Sequence, residues 1–300
     1  MPTLRQLEYL VALADHRHFG RAAQAVAVSQ PTLSHQLQVL EKRLGVPLVE
    51  RHTRGVELSP VGRDIAERAR TILVEVKDLR DLAQRAGDRL AGTIRFGASP
   101  TLGPYLMPPV IAALHRSQPD LRLYMREGIP DSLALELVRG SIDMLLGPLP
   151  IEGQTLQVEP LFSEPLLLVA PPDHPLAKKK NATLADLAGH DVLTLDRRHH
   201  LHRDAETLCR EHAMALLHDY EGTSLDSIRQ MVASGLGLGI LPRLYVRSEI
   251  GHGGDVALLD VKGWKAGRGI GVAWRRGAGF ADRYAAIGEN IRDAAAKLLE

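Results

Sequence analysis

The sequence predicts an α/β protein in three successive parts: a small helical unit with a two-stranded appendage, one long helix, and a body of alternating strands and helices. Apolar residues at helical spacing from Leu7 to Leu44 predict the first part, and a four-three alternation beginning at Ile65 predicts the second. Short apolar runs separated by helical stretches, from Thr93 onward, predict the third. The corresponding boundaries are residues 1–60, 61–90 and 91–300.

In the first part, Leu7, Leu10, Val11 and Ala14 mark one helix, and Ala22, Ala23 and Val26 mark a second with a small-residue face. The stretch SQPTLSHQLQVLEKRLG, Ser29 to Gly45, supplies the third. Ser29 is a good N-cap, Pro31 lies in the first turn where its missing N–H costs nothing, and Gly45 ends the helix. Leu33, Leu37, Leu40 and Leu44 share one face and predict its burial, which leaves Gln30, Thr32, Ser34, His35 and Gln38 on the outer faces. The following VPLVERHTRGVELSPVG reads as two short strands around Thr53 to Gly55, a wing carrying Arg51 and Arg54. Ser59 then caps another helix with Pro60 at its first position.

That helix is the long one. Ile65, Ala69, Ile72, Val76, Leu79, Ala83 and Ala86 form a seam with the 3.5-residue repeat of a coiled coil, which predicts a homodimer. The alternative is an amphipathic helix packed on its own domain.

In the body, TIRFGA, LRLYM, IDMLLG, PLLLVAP, DVLTL, VALLDV and RGIGVAW read as strands. Helical stretches fall at Met107 to Ser117, Ser132 to Arg139, Arg203 to Leu216 and Leu225 to Ser234. The alternation predicts parallel sheets covered by helices. Its length suits two α/β lobes with crossovers near Phe162 and Gly267: a first lobe of about 91–161 with 267–300, and a second of about 162–266.

At 300 residues, with 45% hydrophobic and 24% charged content, the composition is that of a soluble globular protein. No apolar run approaches the roughly 20 residues of a membrane span. Glu8 and Asp15 interrupt what a signal peptide would keep apolar, so the expected location is cytoplasmic, with no membrane partner. One cysteine, Cys209, excludes an intramolecular disulfide and any multi-thiolate zinc site. The net charge is +1, and the first 60 residues hold seven basic against five acidic side chains, a weak local excess.

Two helices joined by a tight turn, the second with a polar N-terminal face, make a helix-turn-helix that can lay that face in the major groove of double-stranded DNA. Gln and Ser side chains there can bond base edges while wing arginines hold phosphates. On spacing alone a plain helical bundle is as well supported; the wing, the long helix and the separate α/β body favour the DNA reader. The segment FGRAAQAVAVSQPTLSHQLQVLEKRLGVPLVERHTRGVELSPVG closely resembles the N-terminal signature of LysR-type transcriptional regulators. The resemblance extends over the whole chain and implies a winged helix-turn-helix, a linker helix and a two-lobed effector domain like periplasmic binding proteins. It also implies a dimer of dimers, a homotetramer, on an interrupted palindrome. Gln30, Pro31, Ser34 and His35 would face the groove, with Thr32 and Gln38 beside them, and Arg51 and Arg54 would meet the backbone. His35 stands where many members have arginine, and Val49 where phenylalanine is usual.

TLGPYLMP, ADLAG, LTLDRRHHLHRDAETLC and TSLDSIRQMVASGLGLGILP resemble the peroxide-sensing branch of that family. The alignment puts Cys209 at the resolving position and His200 in place of the peroxide-reactive cysteine, which argues against the branch's disulfide chemistry here. The family holds a small-molecule effector between the lobes, and the matching positions are Ser99, Pro100 and Thr101, with Thr223 and Ser224. Hydroxyl-bearing segments at helix starts favour an anion, although plain N-caps explain them equally. His200 could tune such binding by titrating near neutral pH.

His199, His200, His202, Cys209 and His212 invite a metal or redox reading, opposed by the flanking Arg197, Arg198 and Arg203; a basic loop or pocket wall is the simpler one, and no metal or cofactor is expected. Cys209 reads as inert packing. GLGLGILP has the reverse order of a dinucleotide fingerprint and reads as tight helix-to-strand packing. No nucleophile-elbow or H-E-x-x-H motif is present, so neither an enzyme nor, given the N-terminal segment, an exported solute-binding protein is expected.

Overall fold

Thr3 starts the first helix by a reciprocal cap: its hydroxyl accepts from the Gln6 amide, and the Gln6 side chain accepts from the Thr3 amide. That helix, α1 (Leu4–His16), opens a computed structural model that describes residues 1–52, 55–86, 92–250 and 254–300. The chain divides into two units, residues 1–88 and 89–300.

In the first unit, α2 (Phe19–Ala25) is capped by His18, whose Nδ1 accepts from the amides of Gly20 and Arg21. Helix α3 (Gln30–Leu44) is capped by Ser29, whose hydroxyl accepts from the Thr32 amide at 3.3 Å, and it closes on Gly45 at φ 74°. Leu33, Leu37 and Leu40 are buried with Leu10, Leu13, Ala22, Ala23 and Leu48 in one core. Strands β1 (Val49–His52) and β2 (Gly55–Leu58) pair antiparallel from Val49 opposite Leu58 to His52 opposite Gly55. The Glu41 carboxylate of α3 accepts from the amides of Leu48 and Val49, at 2.8 and 3.0 Å, and so fixes where the wing begins.

Ser59 joins the wing to α4 (Pro60–Ala86): its hydroxyl donates to the Pro47 carbonyl and accepts from the Gly62 amide. Gly62 is required there, since a Cβ would stand 2.1 Å from the Leu48 carbonyl oxygen. The first turns of α4 pack on α1 through buried Ala66 and Ala69, and Arg70 pairs with both carboxylate oxygens of Asp15. Farther along the seam, Ile72 and Leu79 are 41% and 67% exposed, while the side chain of Ala86 lies outside the described residues.

The second unit runs β3 (Gly92–Ala98), α5 (Gly103–Ser117), β4 (Leu121–Glu127), α6 (Pro130–Val138) and β5 (Met144–Pro148), then the long β6 (Leu156–Ala170). It continues through α7 (Pro175–Lys178), β7 (Ala182–Thr183), β8 (Asp191–Leu195), α8 (His200–Glu211), β9 (Ala215–Gly222), α9 (Leu225–Ala233) and β10 (Leu238–Pro242). The chain ends with α10 (Arg243–Glu249), β11 (Ala257–Leu258), β12 (Val261–Lys262), β13 (Gly267–Arg275) and α11 (Ala281–Leu299). The strand order is β4-β3-β5-β13-β6-β10-β8-β9.

Strand β6 serves two half-sheets. From Leu156 to Pro165 it pairs with β13, and from Leu166 to Val169 with β10. Each half-sheet has its own core: Phe96, Leu106, Leu146, Val272 and Ile287 in the first lobe, and Leu168, Val192, Leu201, Ile228 and Ile240 in the second. The exchange falls between Pro165 and Leu166, a few residues beyond Phe162, and β13 starts at Gly267.

Several expectations are corrected. The sheet is mixed, because the crossover strands β6 and β13 run antiparallel to each other and β13 runs antiparallel to β5. The helix expected over Arg203 to Leu216 spans His200–Glu211, and Leu216 belongs to β9, a polar edge strand with little apolar signal. Helix α5 starts at Gly103 instead of Met107, because Pro104, Pro108 and Pro109 conceal a helix that tertiary packing overrides them to form. VALLDV splits into the two-residue strands β11 and β12. In GLGLGILP the packing is tight as expected: a Cβ on Gly237 would lie 2.7 Å from the Asp191 carbonyl oxygen.

Candidate DNA-reading face and inter-lobe cavity

The leucine stripe of α3 faces the core, so its opposite face is left to solvent. Gln30, Pro31, Thr32, His35 and Gln38 are exposed, and Ser34 is half-buried. Gln36, on the flank, is held by the Gln6 amide at 3.1 Å. Val49 is half-buried against the same core. Arg54 and the side chain of Arg51 lie outside the described residues.

In the second unit the sequence-derived effector positions separate into two settings. The hydroxyls of Ser99 and Thr101 are buried, 3.0 Å apart, and Thr101 Oγ1 accepts from Arg268 at 2.9 Å. They therefore brace the inter-lobe junction rather than cap α5, whose N-cap is Leu102 without a side-chain bond. Ser224 caps α9 by accepting from the Ser227 amide. Pro100 and Thr223, in contrast, meet on one cavity of about 280 Å³ between the lobes, lined also by Glu127, Gly128, Ile129, Asp196, Arg198 and His199.

His199 is buried and its Nδ1 has no hydrogen-bond partner. Burial holds this imidazole below the ordinary histidine value, against the opposing pull of Asp196. Asp196 is gripped by Arg198, at 3.0 and 2.9 Å, which holds its carboxyl down at about 2. The wall thus carries two carboxylates, Glu127 and Asp196, and one guanidinium already engaged by Asp196.

His200 lies elsewhere. Its Nε2 donates to Asp131 at 2.7 Å, and it borders a larger groove of about 560 Å³ that includes Pro130, Ala134, Leu135, Ile151 and Glu152. His202 donates from Nδ1 to the Leu195 carbonyl, and His212 stacks on Trp264 at 5.3 Å. Cys209 is buried on the inner face of α8, and burial pushes its thiol up to about 11. The histidines thus point to separate partners, and among the described residues no three His, Cys, Asp or Glu side chains are placed to hold a metal ion. Among the same residues no helix is long and apolar enough to cross a membrane.

Residues 4–63 match the bacterial regulatory helix-turn-helix proteins of the lysR family, and residues 87–296 match the LysR substrate binding domain. The chain belongs to the LysR family. This LysR-type DNA-binding transcriptional regulator is OxyR-like. It is 41% identical over 289 residues to the DNA-binding transcriptional dual regulator OxyR of Escherichia coli K12, covering 96% of this chain and 94% of that protein. It is 39% identical to the hydrogen peroxide-inducible genes activator of Pectobacterium carotovorum, covering 97% and 96%. A full-length OxyR variant from Pseudomonas aeruginosa superposes with a TM-score of 0.78 at 34% identity, covering 97% and 95%. These relatives are transcription regulators, not enzymes.

Sequence reasoning missed Asp131, Glu127, Glu164 and Arg268, because their partners stand far away along the chain: Asp131 is 69 residues from His200, and Glu164 is 104 from Arg268. The buried charges of Glu164 and Arg268, in segments otherwise reading as strands, were the available signal.

Proposed function

We propose that this protein reads double-stranded DNA through Gln30, Pro31, Thr32, Ser34, His35 and Gln38, with Arg51 and Arg54 on the phosphates, and that a small effector bound between the lobes controls it. The observation that carries the first half is the division of α3 into a leucine face within the core and a polar face in solvent. For the second half it is the inter-lobe cavity, where Pro100 and Thr223 share a wall with Glu127, Asp196, Arg198 and His199. Ser99, Thr101 and Ser224, beside them in the chain, are proposed to act on the same site. Effector binding changes lobe closure and thereby the spacing of paired DNA-binding units.

Pairing is assigned to α4, whose exposed Ile72 and Leu79 continue the heptad seam and would be covered by a second copy. A homotetramer built from two such dimers, and a cytoplasmic location, follow from the family resemblance.

An anionic effector is the class suggested by the hydroxyl-bearing segments, and it would seat on Arg198. Glu127 and Asp196 on the same wall favour a neutral guest instead. A response to peroxide through an internal disulfide is ruled out by the single cysteine. Thermal unfolding of the full-length protein with small carboxylic acids, their amides, Zn²⁺ and hydrogen peroxide, each alone, separates these readings. A ligand at a hundred times its Kd adds about 2.7 kcal/mol. A shift with acids alone supports the anion, and a shift with amides moves the effector to neutral molecules. A shift with Zn²⁺ or peroxide alone would overturn the small-molecule reading in favour of a metal- or redox-responsive regulator using His199, His200, His202 or Cys209.

A further inference from the structure

Asp131 stands in the first turn of α6, in the first lobe, and His200 and Arg203 stand in the first turn of α8, in the second. The imidazole Nε2 of His200 is 2.7 Å from Asp131 Oδ1, and Arg203 reaches Asp131 Oδ2 at 3.2 Å. His200 is buried, with 6% of its side chain accessible, whereas the Asp131 side chain is 64% exposed. A buried donor on one lobe therefore meets a solvent-facing carboxylate on the other.

We propose that Asp131, His200 and Arg203 form a proton-linked tie between the lobes, tightened when the imidazole is charged and loosened when it is neutral. A neutral imidazole keeps the Nε2–H donor, so the contact persists; adding the second proton, on Nδ1, turns it into a charge-assisted bond. Because Asp131 is largely exposed, solvent screens the pair, and its strength suits a reversible contact. The groups facing His200 are Asp131 on α6, the N-cap residue His199, Arg203 and Asp204 on α8, and Glu152 across the groove, with Arg268 of β13 beyond Asp204. Three are carboxylates. Asp204 Oδ2 is buried without a hydrogen-bond partner, and burial pushes its carboxyl up. Asp131 is desolvated by the contact, yet its bonds to His200 and Arg203 outweigh that and hold its carboxyl below the usual range. The carboxylate side of the tie is thus present above the ordinary aspartate range and lost only as pH falls through the lowered value, so Asp131 stays ionised on both sides of neutrality.

The tie rests on the two-lobed regulatory domain, and its test needs neither DNA nor effector, so its failure would leave the proposed regulator standing. Hydrogen-exchange protection factors of the full-length protein, followed over residues 129–138 and 199–208, are compared at pH 6 and pH 8. In the wild type, protection of both segments is higher at pH 6 by about threefold, the scale of a screened ion pair. Asp131→Asn and His200→Gln abolish the difference. Asp131 is exposed enough that its substitution leaves the fold intact, so the comparison survives even if His200→Gln unfolds. Equal protection at the two pH values in the wild type, or an unchanged difference in Asp131→Asn, would overturn the tie.

Discussion

The guanidinium of Arg268 lies 2.8 Å from the carboxylate of Glu164, with 2% and 0% of the side chains accessible, on the two strands that cross between the lobes. Arg268 and Glu164 are register partners of β13 and β6. The second carboxylate oxygen accepts from the Leu244 amide, and the guanidinium also reaches the carbonyl and hydroxyl of Thr101. One buried pair thus joins four segments at the junction. Breaking it strands a charge: Arg268→Ala is expected to destabilise the second unit by about 3–5 kcal/mol, and the double change Arg268→Met with Glu164→Met to recover most of that loss. Denaturant midpoints of the single and double variants check this; equal losses would mean that packing, not the stranded charge, dominates.

Gly62→Ala places a methyl against the Leu48 carbonyl oxygen, which belongs to the segment entering the wing. An overpacking cost of about 1–3 kcal/mol is expected, together with weakened DNA binding, because the wing shifts with Leu48. Thermal unfolding and binding to a DNA fragment measure the two effects on the same sample.

Cys209, with its thiol at about 11 against an ordinary 9.0, carries on the order of a hundredfold less thiolate near pH 8 than a free thiol. Alkylation by iodoacetamide is expected to be slower than in the unfolded chain by about that factor. A native rate close to the unfolded one would return Cys209 to the list of reactive groups.

His199 has a folded-state value below the ordinary one, so the unfolded chain takes up a proton that the native protein resists. Its stabilising contribution is present above the ordinary histidine range and is lost as pH falls through the lowered value. The melting temperature of the wild type should therefore fall more steeply than that of His199→Gln between about pH 7 and pH 5. Parallel curves would mean that burial does not hold this imidazole below the ordinary value.

The helix-turn-helix was legible because its determinants are local: the Ser29 cap acts within three residues, and Leu33, Leu37 and Leu40 share a face by helical geometry alone. The division of the body was legible from strand-helix alternation. Two strands were less so: β9 is a polar edge strand of the second half-sheet, and the N-terminal half of β6, paired with β13 in the first, alternates with charged residues. The inter-lobe site stayed hidden for a different reason. Thr101 finds Arg268 across 167 residues, and no spacing rule anticipates such a bond. The hydroxyls of Ser99 and Thr101 are turned toward each other and Arg268, whereas Pro100 and Thr223 line the inter-lobe cavity.

The central claim, that the outer face of α3 selects DNA sequence, is tested most directly by selecting bound duplexes from a random pool with the wild type and with His35→Ala. The wild type is expected to enrich an inverted repeat with a spacer, its affinity falling steeply with salt, and His35→Ala is expected to relax the preference at one or more half-site positions while binding random DNA as before. No enriched sequence with the wild type, or an unchanged preference in both His35→Ala and Gln38→Ala, would contradict it.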